Sequence, residues 1–194
     1  MSVATSLEQD AAHDPLTDIL TRLDRLEALE PAAKESAKKS ITLLVFSGEL
    51  DKLLAAFTVA TAAGAMGMNV SMFFTFWGTA ALKRRTVLAN KTWVERAFGC
   101  LLPGGFERRP LSRLDMGGVG RLLLTREMKQ KNISTLPALI EQSAALGVEI
   151  YVCQTSMDLM GIGVEELIDY PNRNICGAAK FLQLANAAES TLFI

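Results

Sequence analysis

Cys153 is the residue of this sequence that has the clearest physical reason to be reactive. It follows the short predicted strand Val148–Val152, in which β-branched and aromatic residues dominate. A helix is predicted directly after it, with Thr155 or Ser156 as N-cap and Asp158 in the first turn. The dipole and free N–H groups of a helix N-terminus favour a thiolate over a thiol. The sequence therefore predicts a nucleophilic Cys153, with a small buried core thiol as the alternative interpretation.

The remaining cysteines and the single histidine restrict the chemistry further. Cys100 lies in a predicted Pro/Gly loop, and Cys176 lies on a predicted helix over residues 175–188. His13, the only histidine, belongs to the N-terminal arm, which argues against Ser-His-Asp and Cys-His mechanisms in the main domain. There is no CxxC pair and no Cys/His cluster, so no metal site is predicted.

A glycine-rich turn precedes a predicted helix over residues 121–129. The turn contains Gly117, Gly118 and Gly120, and four arginines lie near it in the sequence: Arg108, Arg109, Arg113 and Arg121. Backbone N–H groups in such a turn can hold an anion, so the three glycines are candidate substrate-binding residues. The pattern is neither a dinucleotide-binding fingerprint nor a P-loop. A tight turn that lets two elements pack closely is the alternative interpretation.

Composition excludes several classes of protein. The 194 residues are 49% hydrophobic and 21% charged, which is ample for a core, and the net charge of −1 gives no basic footprint for nucleic acid. Three scattered cysteines do not form a disulfide framework, and no signal peptide is evident. We therefore expect a reducing, cytoplasmic setting.

Apolar runs alternate with helical patterns along most of the chain. This alternation predicts an α/β fold, a three-layer α/β/α sandwich around a mainly parallel sheet of about five strands. Strands are predicted at residues 41–46, 70–75, 148–153 and 191–194, with another near 172–175. The run over residues 41–46 is nearly continuous, which is typical of a central strand buried on both faces.

An amphipathic helix is predicted before this domain, so the chain is divided into an arm over residues 1–36 and a domain over residues 37–194. Apolar residues recur in the arm at three- and four-residue steps between Leu16 and Leu29. The helix either docks on its own domain or a neighbouring subunit, or serves as an oligomerisation arm.

Residues 53–82 carry no charge, which raises the question of a membrane span. Gly64, Gly67 and Asn69 interrupt the stretch, and strand-like residues follow. We interpret it as a helix and a strand buried by the sheet and by neighbouring subunits, and we expect a soluble homo-oligomer rather than a membrane protein.

Several motifs over residues 40–194 together resemble the DsrE/DsrF-like family, and more narrowly its single-chain branch often labelled peroxiredoxin-like. The motifs are Met116-Gly117-Gly118-x-Gly120, Leu136-Pro137-x-Leu139-Ile140, Leu146-Gly147-Val148, Cys153-x-x-Ser156-Met157-Asp158-Leu159-Met160-Gly161-Ile162 and the ending Leu192-Phe193-Ile194.

The resemblance implies a flavodoxin-like α/β/α fold, assembly into oligomers and a role in sulfur relay. It also implies that Cys153 carries sulfane sulfur, as a persulfide or thiosulfonate, between rhodanese-type and TusA-like partners. Cys100 corresponds to a second cysteine of the branch, in the loop before the Met-Gly-Gly motif, and assists Cys153 or has no role. The residues after Cys153 would then surround the substrate: Thr155, Ser156, Met157 and Asp158.

The predicted function is thus a sulfur carrier or sulfurtransferase-like protein that uses Cys153 and needs no cofactor. Sulfur transfer requires an accessible thiolate and little else, so the scarcity of histidine is no obstacle. Two alternatives remain: a flavodoxin-like small-molecule-binding module, and a non-catalytic subunit of a sulfur-relay complex.

Overall fold

The computed structural model of the chain describes residues 19–23, 39–87, 91–102, 104–106 and 109–194. The chain divides into two compact units, Met1–Lys38 and Lys39–Ile194. In the first unit, residues 19–23 are helical, and the rest of the predicted N-terminal helix lies outside the described residues. The second unit contains the sheet and Cys153.

Five strands of the second unit form one parallel sheet. Their bounds are β1 Ser40–Val45, β2 Asn69–Phe74, β3 Glu149–Cys153, β4 Arg173–Cys176 and β5 Ser190–Phe193. The order across the sheet is β4-β3-β2-β1-β5, and every neighbouring pair is parallel. The carboxyl ends of β2, β3 and β4 therefore meet at one edge of the sheet, where α/β proteins bind their ligands.

Helices connect the strands. They are α1 Leu50–Ala65, α2 Phe76–Ala81, α3 Trp93–Leu101, α4 Val119–Gln130, α5 Leu136–Ala145, α6 Gln154–Met160 and α7 Ala178–Ala187. The short 3₁₀ turns Met116–Gly118 and Val164–Glu166 lie between them.

Side chains alternate between the two faces of the sheet, and each face packs against different helices. Ile150 and Val152 of β3 join the main core, which includes residues of α1 and α5. Tyr151 and Cys153 lie on the opposite face, in a smaller cluster with Phe181 of α7. The predicted three-layer sandwich with a parallel sheet of five strands is confirmed.

The uncharged stretch at 53–82 is divided among α1, β2 and α2. None of the helices in the described part of the chain combines the length and hydrophobicity that crossing a bilayer requires.

Three local predictions were wrong. Cys176 is the last residue of β4 and not part of a helix, because α7 begins only after Gly177. Cys100 lies within α3 rather than in a loop, because a capping box of Thr92 and Glu95 begins a helix that continues past Gly99. The helix after β3 begins at Gln154, so Cys153 itself is its N-cap.

Candidate functional site

The sulfur of Cys153 lies where β3 ends and α6 begins. Cys153 has an extended backbone (φ −69°, ψ 114°), and the helix starts at the next residue. Gly161, in the left-handed conformation, ends α6 after seven residues. The Cys153 residue is 6% exposed. Its thiol is therefore largely shielded from solvent, whereas an accessible thiolate was expected from the sequence.

The sheet brings Thr75 next to Cys153. Phe74 is the register partner of Val152, and Thr75 and Cys153 are the residues that follow these two. They project from the same face of the pleated sheet because side-chain direction alternates along each strand. The hydroxyl of Thr75, directly after β2, thus lies beside the sulfur of Cys153 at the end of β3.

Ser156 completes the surroundings of the sulfur. Its buried hydroxyl oxygen lies 3.1 Å from that of Thr75 and accepts a hydrogen bond of 2.9 Å from the backbone N–H of Phe76. The two hydroxyls have two protons between them. One proton is used within the pair, which leaves one to point at Cys153.

The environment lowers the pKa of Cys153 below its usual value of 9.0. Burial by itself raises the pKa, but the proton available from the Ser156 and Thr75 hydroxyls and the backbone N–H groups of Ser156 and Thr155 together outweigh the burial. The thiolate is therefore the favoured form over a wider pH range than for a free cysteine. The predicted contribution of the helix N-terminus is present, and Thr75 adds to it.

A second thiol lies beside the first. Cys176 is the register partner of Cys153 on the neighbouring strand β4, and it packs against the same cluster of Phe73, Tyr151 and Cys153. Its pKa is raised, first by burial and then by the charge on Cys153, with Lys180 acting in the opposite direction. The two sulfurs therefore differ: one favours the anion and the other the neutral thiol.

The other candidate residues of α6 have distinct surroundings. Thr155 is exposed, and its backbone N–H is the group that faces the sulfur. Met157 is buried in the main core. Asp158 is exposed and accepts a hydrogen bond of 2.7 Å from the Gln154 side chain. The structure thus brings Thr155 and Ser156 to Cys153, whereas the contacts of Met157 and Asp158 lie elsewhere.

The glycine-rich turn borders a different feature, a cavity of about 800 Å³. Gly117 and Gly118 line the cavity together with Arg121, and Cys153 is not among the lining residues. The N–H groups of Gly118 and Gly120 both donate to the carbonyl of Asp115. A Cβ on Gly120 would lie 1.9 Å from the Leu114 carbonyl oxygen. These contacts favour close packing of the turn, and its anion-binding role stays a prediction.

Cys100 is exposed on α3. The buried ammonium of Lys83 has a pKa that is lowered mainly by burial, and the charge of Cys100 is one of the smaller influences that raise it. Cys100 is not part of the cluster that holds Cys153 and Cys176. Its role in sulfur transfer stays a prediction. Within the described residues, no group of three or more His, Cys, Asp and Glu side chains is placed to hold a metal ion.

Sequence reasoning missed Thr75 and Cys176. Thr75 carried a usable signal, because it is a polar residue directly after a buried strand, where parallel strands place ligand-binding groups. Cys176 carried a weaker one, because the four-residue strand before it is short and the Ala-rich helix after it dominates the pattern.

Comparison with known proteins agrees with this architecture. The model of the DsrE/DsrF/DrsH-like family matches residues 37–193. Uncharacterized protein YrkE of Bacillus subtilis is 36% identical over 157 residues, which cover 80% of this chain and 97% of YrkE. Sulfur carrier protein DsrE2 of Allochromatium vinosum is 28% identical over 166 residues, which cover 81% of this chain and 99% of that protein. The chain belongs to the DsrE/DsrF/DrsH-like family.

Proposed function

We propose that this protein is a sulfur carrier that holds sulfane sulfur on Cys153 and relays it to a partner protein. The observation that carries the proposal is the set of hydrogen-bond donors around a buried Cys153, which lowers the pKa of its thiol. Membership of the family and the similarity to a protein named sulfur carrier protein DsrE2 support a sulfur-relay role.

The chemistry needs only groups that this site contains. The Cys153 thiolate attacks a sulfane sulfur, and a sulfur–sulfur bond forms on Cys153 while the donor leaves as an anion. The donors from Thr75, Thr155 and Ser156 stabilise negative charge at this point. Before loading, they stabilise the thiolate. After loading, they stabilise the terminal sulfur of a persulfide or the sulfonate of a thiosulfonate. In the proposed site, Thr155 and Ser156 bind the carried group directly, and burial protects it.

Intact-mass measurement tests the proposal. A Cys176→Ser variant, in which no neighbouring thiol can displace an adduct on Cys153, is incubated with thiosulfate, tetrathionate or a persulfidated donor protein, and it should gain the mass of the transferred sulfur group. Cys153→Ser should gain none at this site while keeping its fold. Cys100→Ser is the matched control, because it removes an exposed thiol on α3 and should still load. Loading that survives in Cys153→Ser and disappears in Cys100→Ser would move the carrier role to Cys100.

The proposed partners are TusA-like and rhodanese-type proteins. Phe76 and Trp77 follow Thr75 directly, and about half of each side chain is exposed. Phe76 also has a positive φ of 44°, a strained conformation for an aromatic residue. Backbone strain is typical of functional sites, and exposed aromatic side chains are typical of protein–protein contact surfaces. Transfer of labelled sulfur from loaded protein to each partner class tests this part.

The protein is further proposed to assemble with copies of itself. The face of the sheet opposite α1 and α5 is covered by α7, which has no fully buried residue. Phe46, Leu182 and Phe193 are exposed on this side, Phe193 by 64%. A second copy would cover these side chains. Light scattering of the purified protein tests the assembly, and a monomer at working concentration would contradict it.

The cavity beside the glycine-rich turn favours one alternative function, a small-molecule-binding module. Arg121 and Lys129 are cationic lining residues, and Leu50, Leu54 and Phe106 are apolar ones. This combination suits an anionic molecule with an apolar part. An absorption spectrum and native mass of the purified protein would reveal a retained ligand. A sulfur-carrier role alone predicts that neither measurement shows one.

A further inference from the structure

We propose that Cys176 is the resolving thiol of Cys153, which displaces the carried sulfur group by forming a disulfide between β3 and β4. The inference rests on the proposed sulfur-carrier function, and the displacement competes with relay by discharging a sulfur group that no partner protein has taken. It assigns a role to a cysteine that the sequence had placed on an unrelated helix.

The pairing of the strands puts the two sulfurs within bonding reach. Cys153 and Cys176 are register partners on adjacent parallel strands. Such strands lie about 4.7–4.9 Å apart, and disulfides join Cα atoms that are about 4.4–6.8 Å apart. Partners in register point to the same face of the sheet, and both side chains pack in the same cluster. No large movement of the backbone is needed to connect them.

The charges near the two thiols determine which of them reacts first. Cys153 favours the thiolate, and its charge raises the pKa of Cys176. Cys153 is therefore the first nucleophile, and Cys176 stays a neutral thiol beside it. Once the sulfur of Cys153 is bonded to the carried group, the negative charge lies on the outer atoms of that group and its influence on Cys176 weakens. Lys180, which lowers the pKa of Cys176, then favours deprotonation of the second thiol.

The reaction balances without a further reagent. Cys153 carries a group R through an S–S bond, and the Cys176 thiolate attacks the Cys153 sulfur. The bond to R breaks, R leaves as a sulfur anion, and the proton of Cys176 passes to solvent or to that anion. For a persulfide the leaving group is hydrosulfide, so the sulfane sulfur is reduced while the two thiols are oxidised. An external thiol or dithiol must then reduce the disulfide before the next cycle.

Cys176 is also easier to reach from solvent than Cys153. It is half-buried on β4, an edge strand, whereas Cys153 is buried on β3 between two neighbours. A reductant can therefore reach the disulfide from the Cys176 side. Cys100 is exposed on α3 but does not pack in the cluster, so it lacks the proximity to Cys153 that the resolving step needs.

Tetrathionate tests the proposal because it loads a thiol with a thiosulfate leaving group. The protein is used in a Cys100→Ser background, so that the exposed thiol does not react. Intact mass and non-reducing peptide maps are recorded, and trypsin separates the two cysteines because Arg173 lies between them. With Cys176 present, we expect loss of two hydrogens and a cross-linked pair of peptides. With Cys176→Ser or Cys176→Ala, the thiosulfate adduct should remain on Cys153 about tenfold longer or more, since intramolecular attack is lost.

Two outcomes separate this inference from the proposed function. An adduct on Cys153 that persists equally with and without Cys176 overturns the resolving role and leaves the carrier role standing. The absence of both adduct and disulfide from every variant overturns the carrier role and the resolving role together. Cross-linking of Cys153 to Cys176 by diamide, an oxidant that carries no sulfur, should also occur; failure to form that bond contradicts the geometric basis of the inference.

Discussion

The hydroxyl oxygens of Thr75 and Ser156 lie 3.1 Å apart, although 81 positions separate the two residues in the chain. This contact joins the end of β2 to the first turn of α6, immediately beside Cys153. The backbone N–H of Phe76 holds the Ser156 oxygen from a third direction. The proton that remains in the pair is therefore directed at the sulfur, and the site favours the thiolate before any substrate arrives.

Ser156→Ala should raise the pKa of Cys153 and slow its loading by tetrathionate at neutral pH. The change removes a side-chain donor to the sulfur and leaves the Phe76 N–H without its partner. The thiolate fraction should fall about tenfold for each unit of pKa increase at a pH below both pKa values, and the loading rate should fall by less than that because a more basic thiolate is the stronger nucleophile. The orphaned N–H should cost about 1–3 kcal/mol of unfolding free energy.

Thr155→Ala is the matched control for this prediction. Thr155 is exposed and faces the sulfur through its backbone N–H, which the substitution keeps. Loading rate and stability should stay near wild type. Equal effects of the two variants would show that the Ser156 hydroxyl has no special role.

Cys153 should titrate below pH 9.0, its usual value. A pKa that is depressed by folding contributes stability that is fully present above the unfolded pKa and lost as pH falls through the folded pKa. The difference in unfolding free energy between a Cys153-only variant and its Cys153→Ser counterpart should therefore increase with pH up to about 9.0. Thiolate absorbance and denaturant unfolding measure the two quantities, and a flat difference across this range would contradict the prediction.

Glu166→Gln should destabilise the fold without slowing the loading of Cys153. Glu166 is 0% exposed and accepts hydrogen bonds from the Val87 N–H, the Lys91 ammonium and the Gly163 N–H at 2.6, 2.5 and 2.8 Å. Removal of its charge leaves cations without their counter-charge, including the buried Lys83. We expect a loss of about 2–3 kcal/mol in denaturant unfolding.

The pH dependence of this effect has a definite sign. Burial raises the pKa of Glu166, but its hydrogen bonds and Lys91 lower it further, to below 4.5. Its stabilising contribution is thus complete above pH 4.5 and is lost as pH falls through the lower folded value. Wild type and Glu166→Gln should converge in acid. Glu165→Gln, at the exposed neighbouring position, should match wild type throughout.

Gly120→Ala should be more damaging than Gly117→Ala. The new methyl at position 120 would lie 1.9 Å from the Leu114 carbonyl oxygen, whereas nothing lies within 4 Å of one at position 117. Gly117 has a φ of 68°, so its substitution should cost only about 1 kcal/mol. Thermal unfolding compares the two. A sulfur-loading defect in well-folded Gly117→Ala would instead support the anion-binding role of the turn.

Trp77→Ala should weaken sulfur transfer to a partner protein and leave loading by tetrathionate unchanged. The Trp77 side chain is half exposed beside the site and donates nothing to Cys153. If a partner docks there, loss of a large aromatic contact should reduce transfer by about tenfold, the effect of 1–2 kcal/mol of binding energy. Transfer at the wild-type rate would place the docking surface elsewhere.

The strands were predictable because their signal is local. The apolar runs at residues 41–46 and 70–75 place β1 and β2 within one residue of their observed bounds. The position of Cys153 between a strand and a helix was predictable for the same reason, because adjacent residues encode both elements. Where adjacent residues conflict, this reasoning fails: the Gly and Pro residues near Cys100 concealed that the helix begun by Thr92 and Glu95 continues past Gly99.

The neighbours of Cys153 that come from other strands were not predictable from local sequence pattern, because their positions depend on the register between those strands and β3. Thr75 and Cys176 reach the sulfur from β2's end and from β4, and nothing in the sequence near either residue specifies that pairing. Register is determined by the packing of whole faces in the folded sheet. The pairwise contacts of the site are therefore a property of the tertiary structure.

Side chains alternate between the two faces of the sheet along β4, so the position of Cys176 within the strand determines the face on which its thiol lies. Ile175 packs toward the main core and Cys176 toward the opposite cluster. A one-residue insertion or deletion within β4 would exchange these two side chains and remove the second thiol from Cys153. The two-cysteine arrangement should therefore tolerate no length variation inside β4.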